Sequence, residues 1–178
     1  MDLVGAVRRY GPVGLVPLAW SFTAVALYTP LVSERTLLIA LSVMSVIFAV
    51  FALQGEMGEG VLRIWRYVLL AGLAVTLVGV ADLLVTPEHP FLWVTLYGWM
   101  AIPAAGLAWT GVAGAPAPRA YVAVAALSLL GTVGYALGSL VAVPTLEGAG
   151  LAAVGLGHTA GVALAAVQND GRTAKGES

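Results

Sequence analysis

Residues 66–86 read RYVLLAGLAVTLVGVADLLVT. Between Arg66 and Asp82 the stretch holds no charged side chain, and it lacks the alternation of a half-buried strand. At 1.5 Å per residue a helix over this stretch is roughly 30 Å long, the thickness of a bilayer's hydrocarbon layer. A membrane strand needs only ~10 residues. The stretch therefore reads as a membrane-spanning helix.

Working outward, comparable apolar runs fall at about 12–31, 36–54, 91–113, 120–143 and 149–168. Of the 178 residues 60% are hydrophobic and 10% charged, and the mean hydropathy is +0.96. A soluble domain carries roughly a quarter charged residues. In hydrocarbon every backbone group has to bond within its own segment, so helices are the solution that fits. The expected fold is all-α, a polytopic transmembrane bundle of six spans forming one domain over 1–168. Residues 169–178 (NDGRTAKGES) read as a disordered polar tail. Turn residues separate the runs: Thr29–Pro30 with Ser33–Glu34–Arg35, Gly55 to Gly60, Pro87 to Pro90, Gly114 to Arg119 and Pro144 to Gly148. Connections this short place consecutive helices antiparallel.

Six spans put the N-terminal segment, the 55–65 and 114–119 connections and the C-terminal segment on one side. That side holds Arg8, Arg9, Arg63, Arg66, Arg119, Arg172 and Lys175, seven of the eight basic residues, while Arg35 stands alone opposite. By the positive-inside rule the seven-residue side is cytoplasmic, giving a multi-pass protein of the cell membrane with both termini inside. Arg8 and Arg9 ahead of the first run resemble the flank of a signal peptide. That run is too long for an h-region and is read as a retained span. Seven Arg against one Lys in an Ala-, Val- and Gly-rich chain suggests a GC-rich prokaryotic genome.

Several chemistries lack their parts. The chain has no cysteine, hence no disulfide or thiolate site. No lysine lies in a span to form a retinal Schiff base, and a single deep histidine does not hold haem b. Walker A, H-E-x-x-H and zinc-spaced sets are missing, and spans one and four carry no voltage-sensing charge. No cofactor and no metal are expected. The basic residues form no stripe for nucleic acid, which leaves the lipid bilayer as the main partner.

Two polar residues lie at depth. Asp82 sits ~6 Å below the outer end of its span, on a stripe with Gly72, Val75 and Gly79 that turns it toward another helix. His158 is ~13 Å down, flanked by Gly155, Gly161 and Ala165. Each reads either as a proton or acid/base group or as a structural hydrogen-bonding residue. Their similar heights predict a cavity open to the outside, lined by Trp20, Tyr97, Trp99 and the kink at Pro103, with His158 as its floor. Glu88 and His89, with Glu147 opposite, offer an exterior proton or weak metal site beside Asp82, or merely solvate a tight turn. At the inner end Glu59 is spaced to pair with Arg63.

Small residues mark the packing faces. Span five has Gly134 and Gly138, and span six has Gly157 and Gly161 between Ala153 and Ala165. These let helices approach closely, within the chain or in a homo-oligomer through spans five and six. Pro17 and Pro103 kink spans one and four. A shift of 86 residues lays Pro17 on Pro103 and Pro30 on Pro116, but the remaining identities are those of any Ala/Val/Leu/Gly-rich chain.

Gly157-His158-Thr159-Ala160-Gly161 resembles the last-span histidine motif of rhomboid proteases, which are six-span bundles with cytoplasmic termini. Their G-x-S-G nucleophile motif is absent from span four, and the second-span His/Asn group is missing. The resemblance implies at most a rhomboid-like chain without protease activity, and the family is not assigned. Two functions remain from the residues. One is a non-enzymatic protein, either a transporter- or channel-like bundle or an accessory membrane subunit. The other is an intramembrane enzyme on a lipid or isoprenoid, with Asp82 and His158 as its acid/base pair.

Overall fold

The computed structural model describes the backbone of residues 3–53 and 59–176, and side chains over 13–53 and 59–168. The Gly55–Gly58 part of the expected inner loop, Glu56 included, lies outside the described residues. Among the described residues there are six helices: α1 (Leu3–Tyr28), α2 (Glu34–Leu53), α3 (Gly60–Val85), α4 (Leu92–Val112), α5 (Pro118–Leu140) and α6 (Pro144–Gly176). Five of them, α2 to α6, are long and apolar enough to cross a membrane; the described apolar part of α1, Val13–Tyr28, is shorter.

The boundaries move where proline starts a helix. Pro118 and Pro144 were expected in connections, yet each is the first residue of its helix. A first-turn N–H has no helical partner, so proline loses nothing there and its fixed φ suits the helix. Glu147, expected in a loop, is thereby in the first turn of α6, where the helix dipole favours a carboxylate. The α5–α6 connection shrinks to residues 141–143. It turns through Ala142 in the left-handed region, φ 53°, while Val143 N–H bonds the Gly138 carbonyl at 2.8 Å. At the far end α6 stays helical past Gln168 to Gly176, where an irregular tail was expected.

The helices pack in the order α2–α3–α4–α5–α6–α1, with α4 also touching α6. The short 29–33 connection ties the two ends of that row. Met100, Leu107 and Val154 are fully buried where α4 meets α5 and α6. The α5–α6 contact is closest: a methyl placed on Gly131 would lie 2.7 Å from the Gly150 carbonyl oxygen and 2.8 Å from Val154 N. One on Gly138 would lie 2.9 Å from Glu147 Cγ. Only hydrogen fits at such positions. Between α3 and α4, Gly72 lies under the Trp99 ring and Gly106 against Val68.

Buried hydroxyls are satisfied inside the helices. Ser45, Thr76, Thr110 and Ser128 each donate to the carbonyl four residues back. Thr95 instead reaches from α4 to the Val75 carbonyl of α3 at 2.7 Å. Outside, Leu18, Val46, Leu84, Trp93, Leu130 and Leu156 from successive helices are all exposed. Such a surface is compatible with lipid and costly in water.

Gly131→Ala pushes a methyl into backbone that cannot retreat, so stability in mild detergent should fall by about 2 kcal/mol. Ala142→Gly relieves a left-handed alanine and should raise it by about 1 kcal/mol. Thermal melts of the two variants beside the parent should move in opposite directions.

Candidate functional site

Asp82 is 3% exposed and belongs to the turn between α3 and α4. The helix closes when Thr86 N–H bonds the Asp82 carbonyl at 3.0 Å. The Thr86 hydroxyl is shared between that carbonyl and carboxylate oxygen Oδ1. The other oxygen, Oδ2, accepts the Phe91 backbone N–H at 2.9 Å, nine residues ahead. His89 stands between them in the left-handed region, φ 48°, its Nδ1 at 3.3 Å from the Asp82 carbonyl. Its Nε2 lies 3.5 Å from Glu34 Oε2 at the start of α2. Asp82 thus holds a six-residue reversal closed with both carboxylate oxygens engaged. A shallow apolar hollow lies beside it, formed by Val78, Ala81, Val85, Thr86 and Phe91.

His158 occupies a different place. It is 4% exposed, with its ring centroid 5.5 Å from that of Trp20. The flanking glycines make the room: Gly155 lies against Trp20 and Gly161 against Leu107 of α4. Its ring nitrogen Nε2 is buried with no partner among the described residues. Asp82 contacts the 86–91 turn while His158 contacts Trp20 of α1, and no described interaction joins the two.

The expected cavity residues divide in the same way. Trp99 faces α2 and α3, its ring tilted by 33° against that of Phe48 with centroids 4.7 Å apart, and it donates its indole N–H to Thr76 Oγ1 at 2.9 Å. Pro103 is buried within α4. Trp20 and Tyr97 both pack on the cluster of Met100, Tyr135, Leu151 and Val154. Tyr97 meets Tyr135 edge to face with centroids 5.8 Å apart. Tyr135, which sequence reasoning missed, lies between Gly131 and Gly138 on the face of α5 that meets α6. Glu147 makes no ion contact with His89, whose Nε2 lies near Glu34 instead. Among the described residues no three His, Asp or Glu side chains gather as a metal group.

The glycines named for helix packing are occupied inside the chain. Gly138 meets the first turn of α6, Gly157 meets Ser128, Gly161 meets Leu107, and Gly134 lies at ordinary contact distance from Gly150. At the opposite end of the bundle Tyr67 stacks on Trp109 at 6.2 Å, and Tyr121 donates to Gln168 Oε1 at 3.2 Å. The ion contact among the described residues is His89–Glu34; Glu59 and Arg63 share only a backbone bond at 3.3 Å.

Comparison with protein-family models, with curated proteins and with solved structures gives no match.

Asp82→Ala strands the Phe91 N–H, while the Thr86 hydroxyl keeps the backbone carbonyl of residue 82, and should cost about 2 kcal/mol of stability in detergent. Asp82→Asn keeps one acceptor oxygen and should cost roughly half as much. Hydrogen exchange should localise both losses to the 86–91 turn.

Proposed function

We propose that this chain is a non-enzymatic six-span protein of the cell membrane, a small transporter-like bundle whose working half faces outward. The observation that carries the reading is the separation of its two deep polar groups. Asp82 has both carboxylate oxygens committed to the α3–α4 turn, and His158 packs on Trp20 of α1. General acid/base chemistry needs both groups within hydrogen-bond reach of one substrate. What remains is a tight bundle with an acidic polar end, at the 29–33, 86–91 and 141–143 connections, that carries Glu34, Asp82, Glu88, His89 and Glu147.

The six-span count with both termini cytoplasmic rests on the basic residues, seven of eight on one side. It makes the polar end the outer one. Self-association through spans five and six loses its support, because the glycines that suggested it are used within the chain.

One observation favours the second reading, an intramembrane enzyme on a lipid or isoprenoid: the buried Nε2 of His158 has no partner. An unpartnered imidazole nitrogen is what an acid/base group needs before its substrate arrives.

The chain has no cysteine, so single cysteines report topology cleanly. Leu31→Cys, 80% exposed in the 29–33 connection, should react with an impermeant maleimide on intact cells. Ala113→Cys should react only after permeabilisation. The reverse pattern would invert the orientation and place the polar end inside. Asp82→Asn and His158→Ala should leave the cellular lipid profile unchanged; a precursor lipid accumulating in both would favour the enzyme.

A further inference from the structure

Helix α2 ends the packing row and rests on α3. Along the bundle its contacts are apolar: Leu41 lies over Gly79, and Phe48 meets the Trp99 ring with centroids 4.7 Å apart. The buried hydroxyl of Ser45 bonds the Leu41 carbonyl of its own helix, and Thr36 bonds Ser33 just before it. Among the described residues one polar side-chain contact joins α2 to the rest of the bundle. It is made by Glu34, the first residue of α2, with His89 of the α3–α4 turn.

The backbone of His89 lies in the left-handed region, φ 48°, which is uncommon for a side chain of this size. Its Nδ1 is 3.3 Å from the Asp82 carbonyl oxygen, which can only accept, so this nitrogen carries a hydrogen. In a neutral imidazole the other nitrogen, Nε2, is then a bare acceptor. That atom is buried, makes no hydrogen bond, and faces Glu34 Oε2 at 3.5 Å. Two acceptors form no bond. A proton on Nε2 turns it into a donor aimed at a carboxylate, and the bond is then charge-assisted. The neighbouring charged groups do not compete for the ring. The Asp82 carboxylate of α3 is engaged by Thr86 and Phe91. Glu88 in the turn and Arg35 on α2 are exposed and make no ion contact with the ring among the described residues. Helix α4 brings no charged side chain.

We propose that His89 and Glu34 form a proton-operated latch. Protonation of the imidazole fastens the start of α2 to the α3–α4 turn, and loss of the proton leaves α2 held by apolar packing alone. Histidine is the side chain whose charge ordinarily changes between about pH 5 and pH 8. The latch therefore closes as the medium at this end of the bundle acidifies. On the orientation proposed above that medium is the exterior, but the latch itself depends neither on orientation nor on transport.

Hydrogen exchange of the purified full chain in dodecyl maltoside tests the latch, at about pH 5.5 and about pH 7.5 and corrected for the intrinsic pH dependence of exchange. The 86–91 amides should be about fourfold better protected at the lower pH. Glu34→Gln and His89→Asn should each reduce that ratio to less than about 1.5-fold. Asparagine tolerates the left-handed backbone that position 89 requires. Thermal melts establish that each variant is folded, and Glu34→Gln, at an exposed position, keeps the test decisive if His89→Asn disturbs the turn. The chain has two histidines, so the imidazole signal that disappears from nitrogen-15 spectra of His89→Asn is that of His89. In its neutral form that ring should carry its hydrogen on Nδ1. Equal protection of the parent at the two pH values, the parental ratio in folded Glu34→Gln, or a neutral His89 with its hydrogen on Nε2 would each overturn the proposal. An inverted maleimide pattern would change only the side from which the proton comes.

Discussion

The contact between α5 and α6 is made by backbone rather than by side chains. Gly131, Gly138, Gly150 and Gly157 let the two helices approach until carbonyl and amide groups of one lie against Cα atoms of the other. Helices bathed in an apolar medium gain little from hiding apolar side chains, so close van der Waals packing has to hold them. The rest of the arrangement depends on that approach. It seats α4 in the groove beside the pair through Leu107 and Met100, and it sets the first turn of α6, with Glu147, against Gly138. Through Gly155 it also leaves the shelf on which Trp20 of α1 rests.

A second constraint shapes the polar residues. Side-chain hydroxyls within the bundle bond their own helix one turn back and so need no neighbour. Thr95 and Trp99 are different: their bonds to Val75 and Thr76 cross from α4 to α3 and fix the rotation of one helix on the other. Asp82 extends the same logic to a chain reversal, substituting a carboxylate for the partners that the end of α3 and the start of α4 lack. A charged residue near the end of an apolar helix is commonly taken as a mark of activity. Here it closes a turn.

Helix number and approximate extent were legible from apolar run lengths, because a long uncharged run admits few folds. Helix starts at Pro118 and Pro144 were not, since proline punctuates a loop and opens a helix with equal ease. The inward direction of Asp82 could be read from Gly72 and Gly79 on its face. Its partners could not: the Phe91 N–H is a backbone group, and sequence carries no sign of which amide an acid will meet. Height along the helix axis suggested that Asp82 and His158 might share a cavity. Depth alone omits azimuth, and the two belong to helices α3 and α6 with different neighbours. Tyr135 escaped notice for the same reason, although its place between Gly131 and Gly138 marks it as lying on the α6-facing side.

The order of packing has a consequence for how the chain assembles as it is made. Helices α3 to α6 each dock on the one just before, so each of these finds its partner already present. Helix α1 is the exception, because Trp20 waits for Gly155 and His158 in the last helix. At ordinary translation speeds that delay is on the order of ten seconds. For that interval the first helix has no resting place, and the side chains around Trp20 are open to whatever the surroundings offer. Biogenesis thus has one late, long-range step, and the imidazole of His158 is buried only when it is complete.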